Sequence, residues 1–576
     1  MKKQSKQRSS VSPFNPAIIY PTLLVIFLLF FTCIRLRLLS FPLERDEGEY
    51  AYFGQLILQG IPPFKLAWNI KLPGTCYCYA LIMAIFGQSA SGIHSGLLIF
   101  NLGSLIFLYF IVKKLFNPFS ALIAVITTGL FFVSPQVLGQ AAHATHFVTF
   151  FMLGGTLFLL LAFENQKFRW YFLSGVMMGL SFLMKQSGIF FPLFGGVVVI
   201  LHYFFSPGKN IWKNLMNMLV YSAGVIFPIA LLFMVIAYSG VFDRFWFWTF
   251  IYPEEYGSRV SILDAFRMFK LTFNVITEMF FALWISAGIG IIALFFMKIK
   301  WWNRLFVLLF LLFSFLSVTP GFYFRQHYFI SFLPAVGIFS ALTFELMNSL
   351  AEKHFKYIPV ITGLIFIIIV SYGMNTYKQY FFTASPDDLC RFMYQKNYFT
   401  EAIPVANYIR IHSTAKDKIL VLGSEPEILF YSKRTSATGY IYMYDLVTDQ
   451  KYKYQMQQEM FNEVEKSKPK YIIVLSCNYS WTNEVGQIDT IFEAKLNTYL
   501  QKSHYIQAGI VEYHYPAPSI CIWDNDAQTY KLNSNEYISI LRRPDSVGAT
   551  LAVALALRSP CRLPTLSTHL IVIRNS

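Results

Sequence analysis

Eleven apolar stretches, each about as long as a helix needs to cross the roughly 30 Å hydrocarbon core of a bilayer, dominate the first two thirds of this sequence. They run over residues 17–34, 91–112, 118–137, 144–163, 170–184, 187–205, 215–238, 276–297, 305–319, 328–347 and 357–373. A backbone in lipid must satisfy its own hydrogen bonds, so the spans are helices rather than open sheet. The composition agrees: 55% of residues are hydrophobic, 14% are charged, and the mean hydropathy is +0.48. That balance excludes an ordinary soluble protein.

The net charge of +16 raises nucleic acid as a partner, but the basic residues lie in short connections rather than in one stripe. Lys113 and Lys114, Lys167 and Arg169, Lys209 and Lys213, Lys298, Lys300 and Arg304, and Lys353 and Lys356 occupy alternate connections, as the positive-inside rule requires if the amino terminus is inside. Residues 1–16 are then cytoplasmic and run into an uncleaved first span. Residues 41–90, 240–275 and everything after about Met374 lie outside. The expected architecture is an α-helical polytopic membrane domain over residues 17–373, followed by a small extracytoplasmic α/β domain over 374–541. In that domain Lys418–Leu422, Tyr471–Leu475 and Ser519–Trp523 read as strands, and Pro426–Tyr431 as the start of a helix. The seven cysteines show neither metal-ligand nor disulfide spacing. From Arg542 the tail, RRPDSVGATLAVALALRSPCRLPTLSTHLIVIRNS, departs from the preceding composition and reads as a run-on end without a functional part.

The first outer segment carries most of the chemistry. Apolar residues recur at helical spacing over Asp46–Leu58, and a second helix is expected over Thr75–Phe86 after the Lys71-Leu72-Pro73-Gly74 break. Both read as helices lying in the membrane interface. The acids of Glu44-Arg45-Asp46-Glu47-Gly48-Glu49-Tyr50 would suit the first turn of such a helix whatever its function. The order of "RDEGEYAYFGQLILQG", "KLPG" and an apolar helix ending in "IFG" says more. In this the chain resembles the protein O-mannosyltransferase and lipid A aminoarabinose transferase families of the C-type glycosyltransferase superfamily. Those enzymes carry an Asp-Glu pair at the start of the first outer loop, then a Lys-Pro-Pro element, then an aromatic helix ending near Phe-Gly. Asp46 and Glu47 match the acidic pair, and Lys71 and Pro73 match the second element, with Leu72 in place of its first proline. The likeness continues through "GLSFLMKQSG" and "FRQHYFISFLPAVGIF" to about Met374.

The resemblance implies a multi-pass glycosyltransferase of the inner (plasma) membrane, inverting, that moves a hexose or pentose from a polyprenyl-phosphate donor to a lipid, glycan or protein acceptor on the outer face. Polyprenyl phosphate is already a good leaving group, so the site needs cations on the phosphate and a base on the acceptor. By resemblance Asp46 is that base, and Glu47 orients the site or caps the helix. Lys71 is the first choice for the phosphate, with a lysine snorkelling at the interface as its plain alternative. Lys185 and Arg325 fall on the same side at the ends of spans, where a charge usually meets a partner or ligand. His327, beside Tyr328, matches an Arg/His-Tyr element of bacterial relatives.

His143 and His146 stand where several relatives have an acid, and their spacing alone could hold a metal only with a third ligand. The sequence names no definite cofactor, and a divalent metal stays open. Tyr50, Trp248, Tyr252, Glu254 and Glu255 are candidates for sugar or acceptor contacts, in the last four cases as parts of an aromatic loop that could equally be an interfacial belt. Against a transporter or flippase stand the lack of an internal repeat and the placing of charges at the outer ends of spans. A surface-polysaccharide polymerase or ligase would place its basic residues in large later loops, without an Asp-Glu pair directly after the first span.

Overall fold

The computed structural model describes residues 16–205, 210–257, 260–351, 357–481 and 489–544. The amino-terminal basic stretch, Lys209, Lys353, Lys356 and the tail beyond Pro544 lie outside the described residues. Two compact units emerge: one of residues up to Phe41, Phe53–Pro63 and Asn69–Leu389, the other of Pro42–Tyr52, Phe64–Trp68 and Cys390 onward.

In the first unit all eleven apolar stretches fold as helices. Among the described residues seven are long and apolar enough to cross a membrane, or eight if the bent pair Ile262–Glu278 and Phe281–Phe296 counts as one. Pro118–Phe132, Phe168–Met184 and Trp301–Leu316 are shorter apolar helices. At about 1.5 Å per residue they fall short of the full hydrocarbon thickness on their own. The span expected from Ile276 begins instead at Phe281, because Phe280 takes a left-handed conformation (φ 55°) and the chain turns by 112° there.

Sequence sets the helix starts locally. The Ser89 hydroxyl accepts from the Gly92 amide, and Asn117 accepts from the Ser120 amide with Pro118 in the first turn. Small residues set the closest packing: a Cβ on Gly175 would run into the Tyr221 carbonyl, and one on Gly224 into that of Phe172. Helices Phe168–Met184 and Ile211–Tyr238 thus approach backbone to backbone, as in small-residue packing in lipid. The opposite side of Ile211–Tyr238 exposes Leu219, Ile226, Phe227 and Met234. Large apolar side chains turned outward along a helix mark a lipid-facing surface. The chain is a multi-pass membrane protein.

The second unit is built on a six-stranded sheet: β1 Lys418–Leu422, β2 Thr435–Ser436, β3 Tyr471–Leu475, β4 Ile506–Glu512, β5 Ile520–Trp523 and β6 Tyr537–Arg542. The order is β2-β1-β3-β6-β4-β5, with β2, β1 and β3 parallel and the rest antiparallel. The expected helix after β1 is present as Glu427–Ser432. Sequence reading missed β2, β4 and β6. β6 also takes in Arg542, paired with Tyr471, and the Arg543 amide donates to Lys470, so the first residues of the tail belong to the sheet.

Candidate functional site

The expected site residues fall into two groups, one in each unit. The acidic stretch belongs to the second unit. Helix Arg45–Leu58 starts with a reciprocal cap: the Glu47 amide donates to the Glu44 carboxylate at 3.0 Å, and the Glu44 amide donates to the Glu47 carboxylate at 3.4 Å. This is a capping box with glutamate at both ends. Glu47 is fully buried in that role, while Asp46 is half-buried. The turn is held on the α/β scaffold by Arg45, whose Nε donates to the Ser424 carbonyl at 2.6 Å and whose terminal nitrogen pairs with Glu425 at 2.9 Å. The Leu43 amide donates to the Tyr431 hydroxyl, and the Ser436 amide to that of Tyr52, each at 2.9 Å. Gly48 is required at this position, since a Cβ there would stand 2.5 Å from the Glu427 nitrogen.

Acids crowd this corner. Burial, reinforced by the charges of Asp46 and Glu47, raises the Glu44 carboxyl well above its usual range. Burial and the neighbouring Glu425 do the same for Glu427. Tyr442 lies against the same turn: its hydroxyl donates to Glu49 at 2.6 Å and lies 3.4 Å from the Arg45 carbonyl oxygen. Tyr50 is buried.

The basic group belongs to the first unit. The Gln186 side chain donates to the Ile70 carbonyl at 2.6 Å, and the Thr75 hydroxyl to the Met184 carbonyl at 2.8 Å. These bonds lash the Lys71 segment to the turn that carries Lys185. Both lysines are half-buried. The Lys185 ammonium sits 3.4 Å from the centroid of the Tyr328 ring, a cation–π contact. His327 lies edge-on to that ring at 4.9 Å and stacks on His143 at 4.1 Å, and its carbonyl accepts from the Thr145 hydroxyl. Lys71, Lys185, His327 and Tyr328 are thus parts of one neighbourhood. Arg325 caps the same short turn but is exposed, with its guanidinium over Tyr323.

Trp248 and Tyr252 are buried and pack edge to face at 4.9 Å, whereas Glu254 is exposed and Glu255 half-buried. His143 and His146 do not turn toward a common point: the His146 ring nitrogens meet Asn101 and the Gly139 carbonyl, each at 3.2 Å.

Sequence reading passed over Arg35. It is buried near the end of the first span, bound to Asn101 at 2.5 Å, the Phe132 carbonyl at 2.9 Å and the Gln140 carbonyl at 3.3 Å. Through Asn101 it continues to His146, and so holds the turn that leads into His143. An arginine within an apolar run was the available signal.

Comparison with known families and structures gives a consistent result. Residues 71–238 match the dolichyl-phosphate-mannose-protein mannosyltransferase family. Comparison with curated proteins gave no match. ArnT from Cupriavidus metallidurans in the apo state is similar at TM-score 0.58 and 13% identity, over 92% of this chain and 99% of that one. The same protein bound to undecaprenyl phosphate gives 0.55 and 13%, over 92% and 98%. The archaeal oligosaccharyltransferase AglB from Archaeoglobus fulgidus, in complex with an inhibitory peptide and a dolichol-phosphate, gives 0.51 and 13%, over 90% and 75%. The chain thus shares the membrane fold of ArnT, and the match to the mannosyltransferase family runs through residues 71–238.

Proposed function

We propose that the protein is an inverting glycosyltransferase that takes a sugar from a polyprenyl-phosphate carrier and transfers it to an acceptor on the outer face of the inner membrane. The observation that carries this reading is the basic neighbourhood of Lys71, Lys185 and His327 around Tyr328, in a chain with this fold. An ammonium held over a ring at the end of an apolar helix is fixed in direction, which suits a phosphate that gains charge as it leaves. Lys71 and Lys185 bind the phosphate, His327 donates to it, and Arg325 meets it from the exposed side.

Asp46 takes the proton of the acceptor as its oxygen or nitrogen attacks the anomeric carbon. The bond from that carbon to the phosphate oxygen breaks, and polyprenyl phosphate departs with the electron pair. Glu47 holds the helix start and leaves the chemistry to Asp46. The alternating basic connections support an outward-facing α/β unit. The test is reconstitution of the purified protein in nanodiscs with undecaprenyl-phosphate-linked sugars and envelope extract, with products read by mass spectrometry. Sugar transfer dependent on the protein is expected; no transfer from any such donor would end the proposal.

A further inference from the structure

We propose that Tyr442 and Tyr444 form the acceptor subsite and that its occupant is a sugar ring, which makes the acceptor a glycan. The inference rests on the reading of Asp46 as the base. Tyr442 touches the Arg45 carbonyl and the Glu49 carboxylate, groups one residue before and three residues after Asp46 on the same helix turn. Tyr444 lies nearly parallel to Tyr442, with centroids 5.8 Å apart and planes 12° apart, so the two rings make a staggered shelf beside that turn. The Arg45 guanidinium stands 5.5 Å from the Tyr444 centroid, and the charge of Asp46 reaches Tyr444 as well.

Exposure singles out the same residues. Arg45, Asp46, Tyr442 and Tyr444 are half-buried, while Glu47, Gly48, Glu49, Tyr50, Ile441 and Met443 around them are buried. The polar groups here are already engaged. Arg45 is spent on Ser424 and Glu425, Glu49 on Tyr442, and the Tyr444 hydroxyl donates to the Tyr479 carbonyl at 2.9 Å. A peptide acceptor would be read chiefly through its backbone polar groups. The half-buried side chains left for an occupant are the rings of Tyr442 and Tyr444, and aromatic rings attract the weakly positive C–H groups of a pyranose or furanose. A sugar lying on the shelf brings a ring hydroxyl to Asp46.

The experiment measures acceptor and donor KM separately in nanodiscs, with an undecaprenyl-phosphate-linked sugar as donor. Oligosaccharides released from envelope glycolipids form one acceptor set, and tryptic envelope peptides the other. Tyr444→Leu and Tyr442→Leu should raise the oligosaccharide KM by roughly three- to tenfold, the loss of one aromatic contact, with a smaller effect on the donor KM. Tyr442→Phe, which keeps the ring and gives up the hydroxyl, should raise it less than Tyr442→Leu. Donor and acceptor KM rising together, or Tyr442→Phe as damaging as Tyr442→Leu, would make the pair a brace for the helix and overturn the proposal. Asp46-dependent transfer to peptides alone would overturn the glycan acceptor but leave the glycosyltransferase standing. No Asp46-dependent transfer to either set would overturn both.

Discussion

Gly48→Ala is the smallest change that should disturb the acidic turn. In the structure a Cβ at this position would lie 2.5 Å from the Glu427 nitrogen, 2.6 Å from its Cβ and 2.7 Å from its Cα. Ordinary contact needs at least about 3.4 Å, so the turn must retreat by roughly an ångström, and it meets backbone rather than a flexible side-chain end. Overpacking of this kind costs about 1–3 kcal/mol. Alanine itself favours helix over glycine by up to about 1 kcal/mol, which offsets part of the loss. Activity should suffer more than stability, because a misplacement of about 1 Å at a reacting group costs on the order of 10²-fold in rate. Thermal unfolding in detergent and sugar transfer in nanodiscs should be measured on one preparation. A folded Gly48→Ala protein with transfer reduced at least tenfold is expected. Wild-type activity and stability together would show that the turn does not rest on Glu427.

Three further expectations concern other parts of the molecule. Lys185→Met keeps the aliphatic stem and removes the charge over Tyr328; it should lower stability by no more than ~2 kcal/mol but reduce turnover by about 10²-fold, and a variant with normal donor kinetics would remove Lys185 from the phosphate site. Both Glu427 carboxylate oxygens are buried without a hydrogen-bond partner among the described residues, and burial holds the group protonated well above its ordinary value of 4.5. The stability this contributes is complete below the ordinary value and is lost as pH rises through the raised one, so the gain in Tm from Glu427→Gln should widen as pH rises above the ordinary value; a gap that does not change with pH refutes the assignment. Alkaline phosphatase fused after Ser385 should be active and a fusion after Lys114 silent, and the reverse would invert the topology.

The membrane helices could be read from the sequence because a bilayer imposes one rule, an apolar run of fixed length, on every span. The first outer segment was legible for a related reason: helical spacing gave Asp46–Leu58 and Thr75–Phe86, and the structure has Arg45–Leu58 and Gly74–Phe86. Strands β1 and β3 are continuous β-branched runs within the parallel part of the sheet and were equally plain. β4 and β6 carry Gln507, Gly509 and Ser539, pair antiparallel and contain a register shift near Gly509, so neither gives a clean apolar run. No local signal marked Phe280 as the corner between two helices. The docking of the acidic turn on the α/β unit was hidden as well, since Arg45 and Ser424 meet across 379 residues of sequence. Motif order could thus nominate Asp46, Glu47 and Lys71 and offer a cap as one role for Glu47, while its reciprocal bonds with Glu44 and the ring beneath Lys185 follow only from the folded chain.

The most direct test of the account is the rate of sugar transfer by Asp46→Asn, measured beside Glu47→Gln in nanodiscs with an undecaprenyl-phosphate-linked donor and envelope extract. Asparagine keeps the size of Asp46 and its aptitude for a helix start, but an amide cannot take the proton of the acceptor. The account predicts a loss of about two to four orders of magnitude in Asp46→Asn, with expression and donor binding retained. Glu47→Gln still presents an oxygen to the Glu44 amide and should keep most of the activity. Substantial transfer by Asp46→Asn would contradict the central claim.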